Sequence, residues 1–208
     1  MNEKIILTIA RQYGSGGREI GEKVAAALGI DFYDKELITL AAQKSGLNTN
    51  MLHDADEKAT NSLLYTLAMG SSVYSSGIAN YTLPVNDHLF ITQSDIIKNL
   101  ADETSCVIVG RSADYVLRDH PRHIAIFVYA DMEVRAARVA ERHNLSADAA
   151  RDLIIKTDKR RANYYNFYTG QKWGRYTNYH MSVDSSLLGI DGTAKLIAQF
   201  AQDFKETH

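Results

Sequence analysis

The sequence predicts an α/β fold, a five-stranded parallel sheet layered between helices, and three observations carry that expectation. Residues 5–10 form an aliphatic, β-branched run with almost no polar alternation, as in a strand buried on both faces. A glycine-rich turn, Gly14-Ser15-Gly16-Gly17, follows at once, and then an amphipathic helix whose Ile20, Val24, Ala27 and Leu28 share one face before Gly29. Further short apolar runs alternate with helical patterns, the order of successive βαβ units.

Residues 30–33 read as a short second strand, with Asp34 placed to cap a helix through Leu37, Ile38, Leu40 and Ala41. Cys106–Val109, residues 124–129 and residues 180–183 read as the remaining strands. Met132, Ala136, Val139 and Ala140 make one later helical face, and Ile197, Phe200, Ala201 and Phe204 another.

A chain of 208 residues, 45% hydrophobic and 23% charged with two prolines, is a single globular domain over residues 1–208, not a disordered, collagenous or disulfide-built one. Its 23 Lys and Arg against 25 Asp and Glu leave a net charge of -2, so no global positive field holds a polyanion and no stable nucleic-acid partner is expected. The single cysteine, Cys106, has no intramolecular partner and sits in an apolar run, which suits a buried hydrophobe in a reducing compartment. The apolar stretch near the N-terminus is too short for a signal or a membrane span, so a cytoplasmic protein without membrane association is expected.

Two segments stand outside the alternation. Residues 59–86 carry no charged side chain; they read as a long loop, as a subunit contact that suggests a homodimer, or as an inserted substrate-side subdomain. In residues 158–180, Lys159, Arg160, Arg161, Lys172 and Arg175 are interleaved with tyrosines, Phe167 and Trp173, fitting a solvated helix face, a closing segment or a surface for stacked bases. Tyr168 and Lys172 have the Tyr-x-x-x-Lys spacing of a reductase proton donor, but Gly170 lies between them. His120 and His123 flank Pro121 without an adjacent acidic or cysteine partner, which favours a plain loop over a zinc site.

Glycines between a buried strand and a helix let backbone N–H groups converge beside a positive helix end, and phosphate is the natural occupant. The dinucleotide pattern G-x-G-x-x-G fits Gly14 and Gly16 but meets Glu19 at its third glycine, although Asp34 lies about 20 residues on. In the Walker A pattern, G-x-x-x-x-G-K-[ST], Gly16 as the second glycine puts Arg11 at the first, Gly17 at the lysine and Arg18 at the Ser/Thr. A one-residue bulge would instead set Gly17-Arg18 on its Gly-Lys.

Longer stretches are more specific. LTIARQYGSGGREIG at residues 7–21, FYDKELI at 32–38, VIVGR at 107–111, DKRRANYY at 158–165 and Asn178-Tyr179 together resemble the cytidylate kinase-like family of P-loop proteins over nearly the whole chain. The resemblance implies a three-layer fold of the nucleoside monophosphate kinase type, with an acceptor-side helical insert near residues 35–100 and a lid-like segment at 156–179. It implies ATP-dependent phosphoryl transfer to a small nucleotide, most simply a pyrimidine nucleoside monophosphate such as CMP or dCMP, with ATP and Mg²⁺ as cofactors. Gly14, Ser15, Gly16, Gly17, Arg18 and Glu19 would meet the ATP phosphates. Arg18, Arg160 and Arg161 would act on the group in flight, Asp34, Lys35, Arg111 and Ser112 on the acceptor, and Glu19 on the metal.

Two departures bear on activity. Cytidylate kinases carry Gly-Lys and then a Thr that helps hold magnesium, where this chain has Arg18 and Glu19. Their Gly-Arg-Asp at the acceptor corresponds to Gly110-Arg111-Ser112, and serine brings no charge to a cytosine amine. A nucleotide-binding or sensing protein with little or no turnover, a kinase of a non-nucleotide metabolite and an NAD(P)-dependent reductase are the competing expectations.

Overall fold

The computed structural model describes residues 4–34 and 85–207. Lys35, the helix expected through residues 37–41 and nearly all of the uncharged stretch 59–86 lie outside the described residues. Among the described residues the chain runs β1 (Ile6–Arg11), α1 (Gly17–Leu28), β2 (Asp31–Tyr33), α2 (Val85–Glu103), β3 (Cys106–Val109), the short α3 (Ala113–Val116) and β4 (His123–Tyr129). It continues through α4 (Met132–His143), α5 (Ala147–Thr169), a 3-10 turn at Tyr176–Asn178, β5 (Met181–Asp184) and α6 (Ser185–Thr207).

The strands form one parallel sheet in the order β2-β3-β1-β4-β5. β1 is central, with Ile6 paired to Cys106 on one side and to His123 on the other. Its side chains alternate between two helical layers, the period-2 consequence of the pleat. Ile5, Leu7 and Ile9 pack with Ile20 and Val24 of α1 and with Ile197 and Ala201 of α6. Ile6 packs on the opposite face with Ile97 and Ala101 of α2 and with Ile108 and Leu117. Thr8, the one polar side chain inside β1, is satisfied by the buried His123, its Oγ1 lying 2.7 Å from Nε2. Burial pushes His123 down to about 3, so this imidazole stays neutral as a core partner.

α1 ends as its pattern predicts, with Gly29 as a left-handed cap at φ 64°. α5 starts at Ser146, whose side chain accepts from Ala149 N, and ends at Gly170 with φ 66°. Tyr168 is therefore helical while Lys172 lies past the cap, so the two do not share the helical turn that a reductase pair needs. The segment expected as a lid is packed against its neighbours. Tyr165 Oη donates to Asp114 Oδ2 at 2.8 Å, Tyr168 Oη donates to Asp87 at 3.1 Å, and the Tyr168 ring stacks on Phe90 with centroids 4.4 Å apart. Beyond Gly170, Trp173 and Tyr179 close on Phe127 of β4.

Burial pushes the Asp114 carboxyl from 3.8 up to about 6, against the lowering effect of the Tyr165 hydrogen bond. The folded chain therefore holds this proton to higher pH than the unfolded chain does. The stabilisation is complete below about pH 4 and is lost as pH rises through about 6, a difference of about 3 kcal/mol. Asp114→Asn keeps an acceptor for Tyr165 and is expected to flatten that decline. Denaturant midpoints measured from pH 4 to 7 check it, and parallel profiles for the two proteins would refute the assignment.

Candidate active site

Because β1 is enclosed by β3 and β4, its carboxyl end must leave the sheet where ligands of open α/β sheets bind. The turn from Arg11 to Gly16 is held from several sides. Gln12 N donates to Val128 O at 3.0 Å, Ser15 Oγ donates to Gln12 O at 2.9 Å, and Ser185 Oγ donates to Ser15 O at 2.7 Å. Ser15 is fully buried, so its hydroxyl shapes the loop. Gly14 has φ +80°, and a Cβ there would lie 3.0 Å from Arg135 and Val139, so the loop can lie close on α4. Gly16, at φ 80°, is the N-cap of α1 and no side chain caps that end. The first-turn amides thus meet the cleft at the positive end of the helix.

The cleft has a volume of about 310 Å³, and Gly14, Gly16, Gly17, Arg18 and Glu19 line it. Arg11, Arg18, Arg138, Arg142 and Arg161 reach it, against the carboxylates Glu19 and Glu22. A chain of net charge -2 therefore concentrates cations at one concave spot.

Each arginine is differently held. Arg18 Nε donates to the buried Asp34 at 2.8 Å, its Nη1 lies 3.4 Å from Glu22, and its guanidinium lies over Phe32. Arg18 therefore ties the start of α1 to Asp34 at the end of β2. Arg161 Nη1 donates to Arg11 O at 2.9 Å and stacks over the Tyr13 ring at 5.4 Å; burial lowers its pKa. Arg160, its neighbour, is exposed, bonds Thr157 and does not line the cleft. Arg111 comes from the β3 side. Gly110, Arg111 and Ser112 are consecutive left-handed residues at φ 83°, 59° and 53°, which costs roughly 1–2 kcal/mol for each non-glycine. Arg111 is hydrogen-bonded to Tyr164 of α5, and Ser112 is buried.

Arg11, Arg138 and Arg142 were not legible as site residues from motif matching. On α4, Arg135, Arg138 and Arg142 recur at i, i+3 and i+7, a stripe that helical periodicity could have shown. Arg11 was visible only as the residue standing in place of a glycine. Asp158, the first residue of the DKRRANYY stretch, holds the loop: Oδ1 accepts from Tyr13 N and Oδ2 from Arg135 Nη1, both at 2.7 Å. With the Arg135 side chain only 7% exposed and Asp158 16%, this pair is well shielded from water. Among the carboxylates lining the cleft, Glu19 suits a hard cation: it is half exposed and its nearest cation, Lys23, is 3.9 Å away.

Removing Asp158 leaves Arg135 buried without its counter-charge and unpins the glycine loop. Asp158→Ala is expected to cost about 3–5 kcal/mol in urea unfolding, and Asp158→Asn, which keeps an acceptor for Tyr13, less. Equal stability of Asp158→Ala and the unmodified protein would rule out the clamp.

Comparison with known proteins agrees with this architecture. A cytidylate kinase from Saccharolobus islandicus is 22% identical over 197 residues, covering 94% of this chain and 90% of that protein. An uncharacterized protein from Eubacterium ventriosum superposes with a TM-score of 0.70 at 27% identity, over 96% of this chain and 99% of that one. Shikimate kinase from Bacteroides thetaiotaomicron shares the fold, with a TM-score of 0.54 at 12% identity over 95% and 98% of the two chains. The sequence model of the cytidylate kinase-like family matches residues 6–187, and with the β2-β3-β1-β4-β5 sheet and its glycine loop in place, the chain belongs to that family of P-loop kinases.

Proposed function

We propose that the protein transfers the terminal phosphoryl group of ATP to a small nucleotide, with a pyrimidine nucleoside monophosphate of the CMP or dCMP kind as the favoured acceptor. The observation that carries this reading is the arginine-lined cleft at the uncapped start of α1, with the left-handed Gly110–Ser112 turn following β3, the strand paired beside β1. Loop amides and the α1 terminus bind donor phosphates, and Arg161 offsets charge on the group in flight. Arg18 keeps Asp34 beside that loop. Arg111 meets the acceptor phosphate, with Ser112, Asp34 and Lys35 as further acceptor contacts. Phosphoryl transfer of this kind needs positioning and electrostatic stabilisation more than a dedicated base.

Mg²⁺, bound with ATP, supplies charge neutralisation between the phosphates, and Glu19 is the residue that would hold it. The basic tyrosine-rich segment 156–179 borders the cleft through Arg161, while Arg160 does not line it. Arg18 and Glu19 in place of the lysine and threonine of cytidylate kinases favour the second reading, a nucleotide-binding protein with little turnover. Ser112 at the acceptor keeps a non-nucleotide metabolite in view as the phosphate acceptor.

The deciding assay is ADP formation from ATP and Mg²⁺ with CMP, dCMP, UMP, AMP, GMP or no acceptor. Acceptor-dependent turnover is expected, fastest with CMP or dCMP. Arg111→Ala is expected to raise the acceptor KM roughly 10- to 100-fold, as for a lost charge-assisted contact, and Arg18→Ala to lower turnover. ATP binding without ADP formation for every acceptor would support the sensing role instead.

A further inference from the structure

The phosphate-binding loop of this chain lacks its lysine, yet the geometry shows where a cation enters. In the Walker A alignment Arg11 stands at the first glycine and Gly17 at the lysine, so two positions have exchanged a small residue for a long cationic one. The structure places these two positions in contact. A Cβ on Gly17 would fall 2.5 Å from Arg11 Cβ and 2.9 Å from Arg11 Cγ, so the Arg11 stem occupies the space that a side chain at position 17 would need. The same side chain then passes Gly110, where a Cβ would overlap the guanidinium and lie 3.0 Å from Cζ. Gly17 and Gly110 together form the slot through which Arg11 runs.

Arg11 lines the cleft, and its side chain makes no hydrogen bond or ion pair among the described residues. Arg161, bonded to the Arg11 carbonyl, and Arg111, on the β3 turn, lie within electrostatic reach of it. Burial, with these two neighbours adding, lowers Arg11 from 12.5 to about 9, which still leaves it charged at neutral pH. Asp34 and Asp158 offset part of the charge on Arg11, and a bound polyphosphate would relieve the remaining repulsion from Arg161 and Arg111.

We propose that Arg11 is the loop's phosphate-binding cation, taking from the strand end the place that a lysine on the first helical turn holds in other P-loops, with Gly17 and Gly110 retained to let it through. Its ligand is the terminal phosphate pair of a nucleoside triphosphate, approached between the donor loop and Arg111. This rests on the donor site proposed above and adds which residue contacts the β- and γ-phosphates. The planar guanidinium can bridge two phosphate oxygens at once, which a lysine cannot, so the exchange alters the geometry as well as the origin of the charge.

The test is a reciprocal swap. Arg11→Gly, Gly17→Lys and the double variant are compared with the unmodified protein in calorimetric titrations with a non-hydrolysable Mg·ATP analogue and with adenosine, alongside thermal melts. Arg11→Gly is expected to weaken the triphosphate analogue roughly 10- to 100-fold and leave adenosine binding unchanged. Gly17→Lys alone should disrupt the loop, because its Cβ has no room beside Arg11, whereas the double variant should regain most of the lost affinity. If the double variant does not fold, Arg11→Lys and Arg11→Gln decide: the lysine should keep a measurable share of the affinity and the glutamine lose it. Triphosphate binding that survives Arg11→Gly or Arg11→Gln undiminished overturns this inference while leaving the kinase reading intact. An unmodified protein that binds no nucleoside triphosphate overturns both.

Discussion

β1 is hydrogen-bonded along both edges and packed on both faces, so every group at its carboxyl end is held by strands β3 and β4 and by helices of both layers. The glycine loop inherits that rigidity. Its backbone is tied to β4 through Gln12 N and Val128 O, to α6 through Ser185, and to α5 through Asp158. A loop so constrained loses little further order when it meets an anion, which is what a preorganised phosphate site requires. β1 and its register are therefore the constraint on which the cleft depends.

Electrostatics divide the molecule unevenly. The chain as a whole is slightly acidic, yet arginines from β1, α1, α4 and α5 meet at one cleft while their counter-charges are used sparingly. Asp158 serves Arg135 and Asp34 serves Arg18, so both acids hold the scaffold together. Arg111 and Arg161 act against the charge on Arg11, and Asp34 and Asp158 only partly offset them. The left-handed backbone at Arg111 and Ser112 is a second local cost borne at the same edge of the sheet.

Helix α5 joins the two halves of the site. Its Asp158 and Arg161 reach the glycine loop, Tyr164 reaches Arg111, and Tyr165 and Tyr168 reach Asp114 and Asp87. A tyrosine-rich sequence with alternating cations thus serves packing as much as charge. Its rings bury area against α2 and α3 while their hydroxyls satisfy carboxylates that would otherwise be costly to enclose.

What the sequence determined by itself was local: aliphatic runs without polar alternation for β1, β3 and β4, glycines after the first strand and after α1, and the helical faces of α4 and α6. These are properties of neighbouring residues and of fixed periods, so they can be read along one dimension. The motif stretches carried the family for the same reason, as runs of contiguous residues. What only the tertiary structure decided was which side chains share a space. Asp158 caps an amide at Tyr13, Arg161 holds the Arg11 carbonyl, and Arg160, its neighbour in sequence, faces away because adjacent helical positions diverge by about 100°. Gly17 and Gly110, far apart in sequence, border one arginine because parallel β1 and β3 end side by side. Such contacts depend on strand order and register, and no local spacing encodes them.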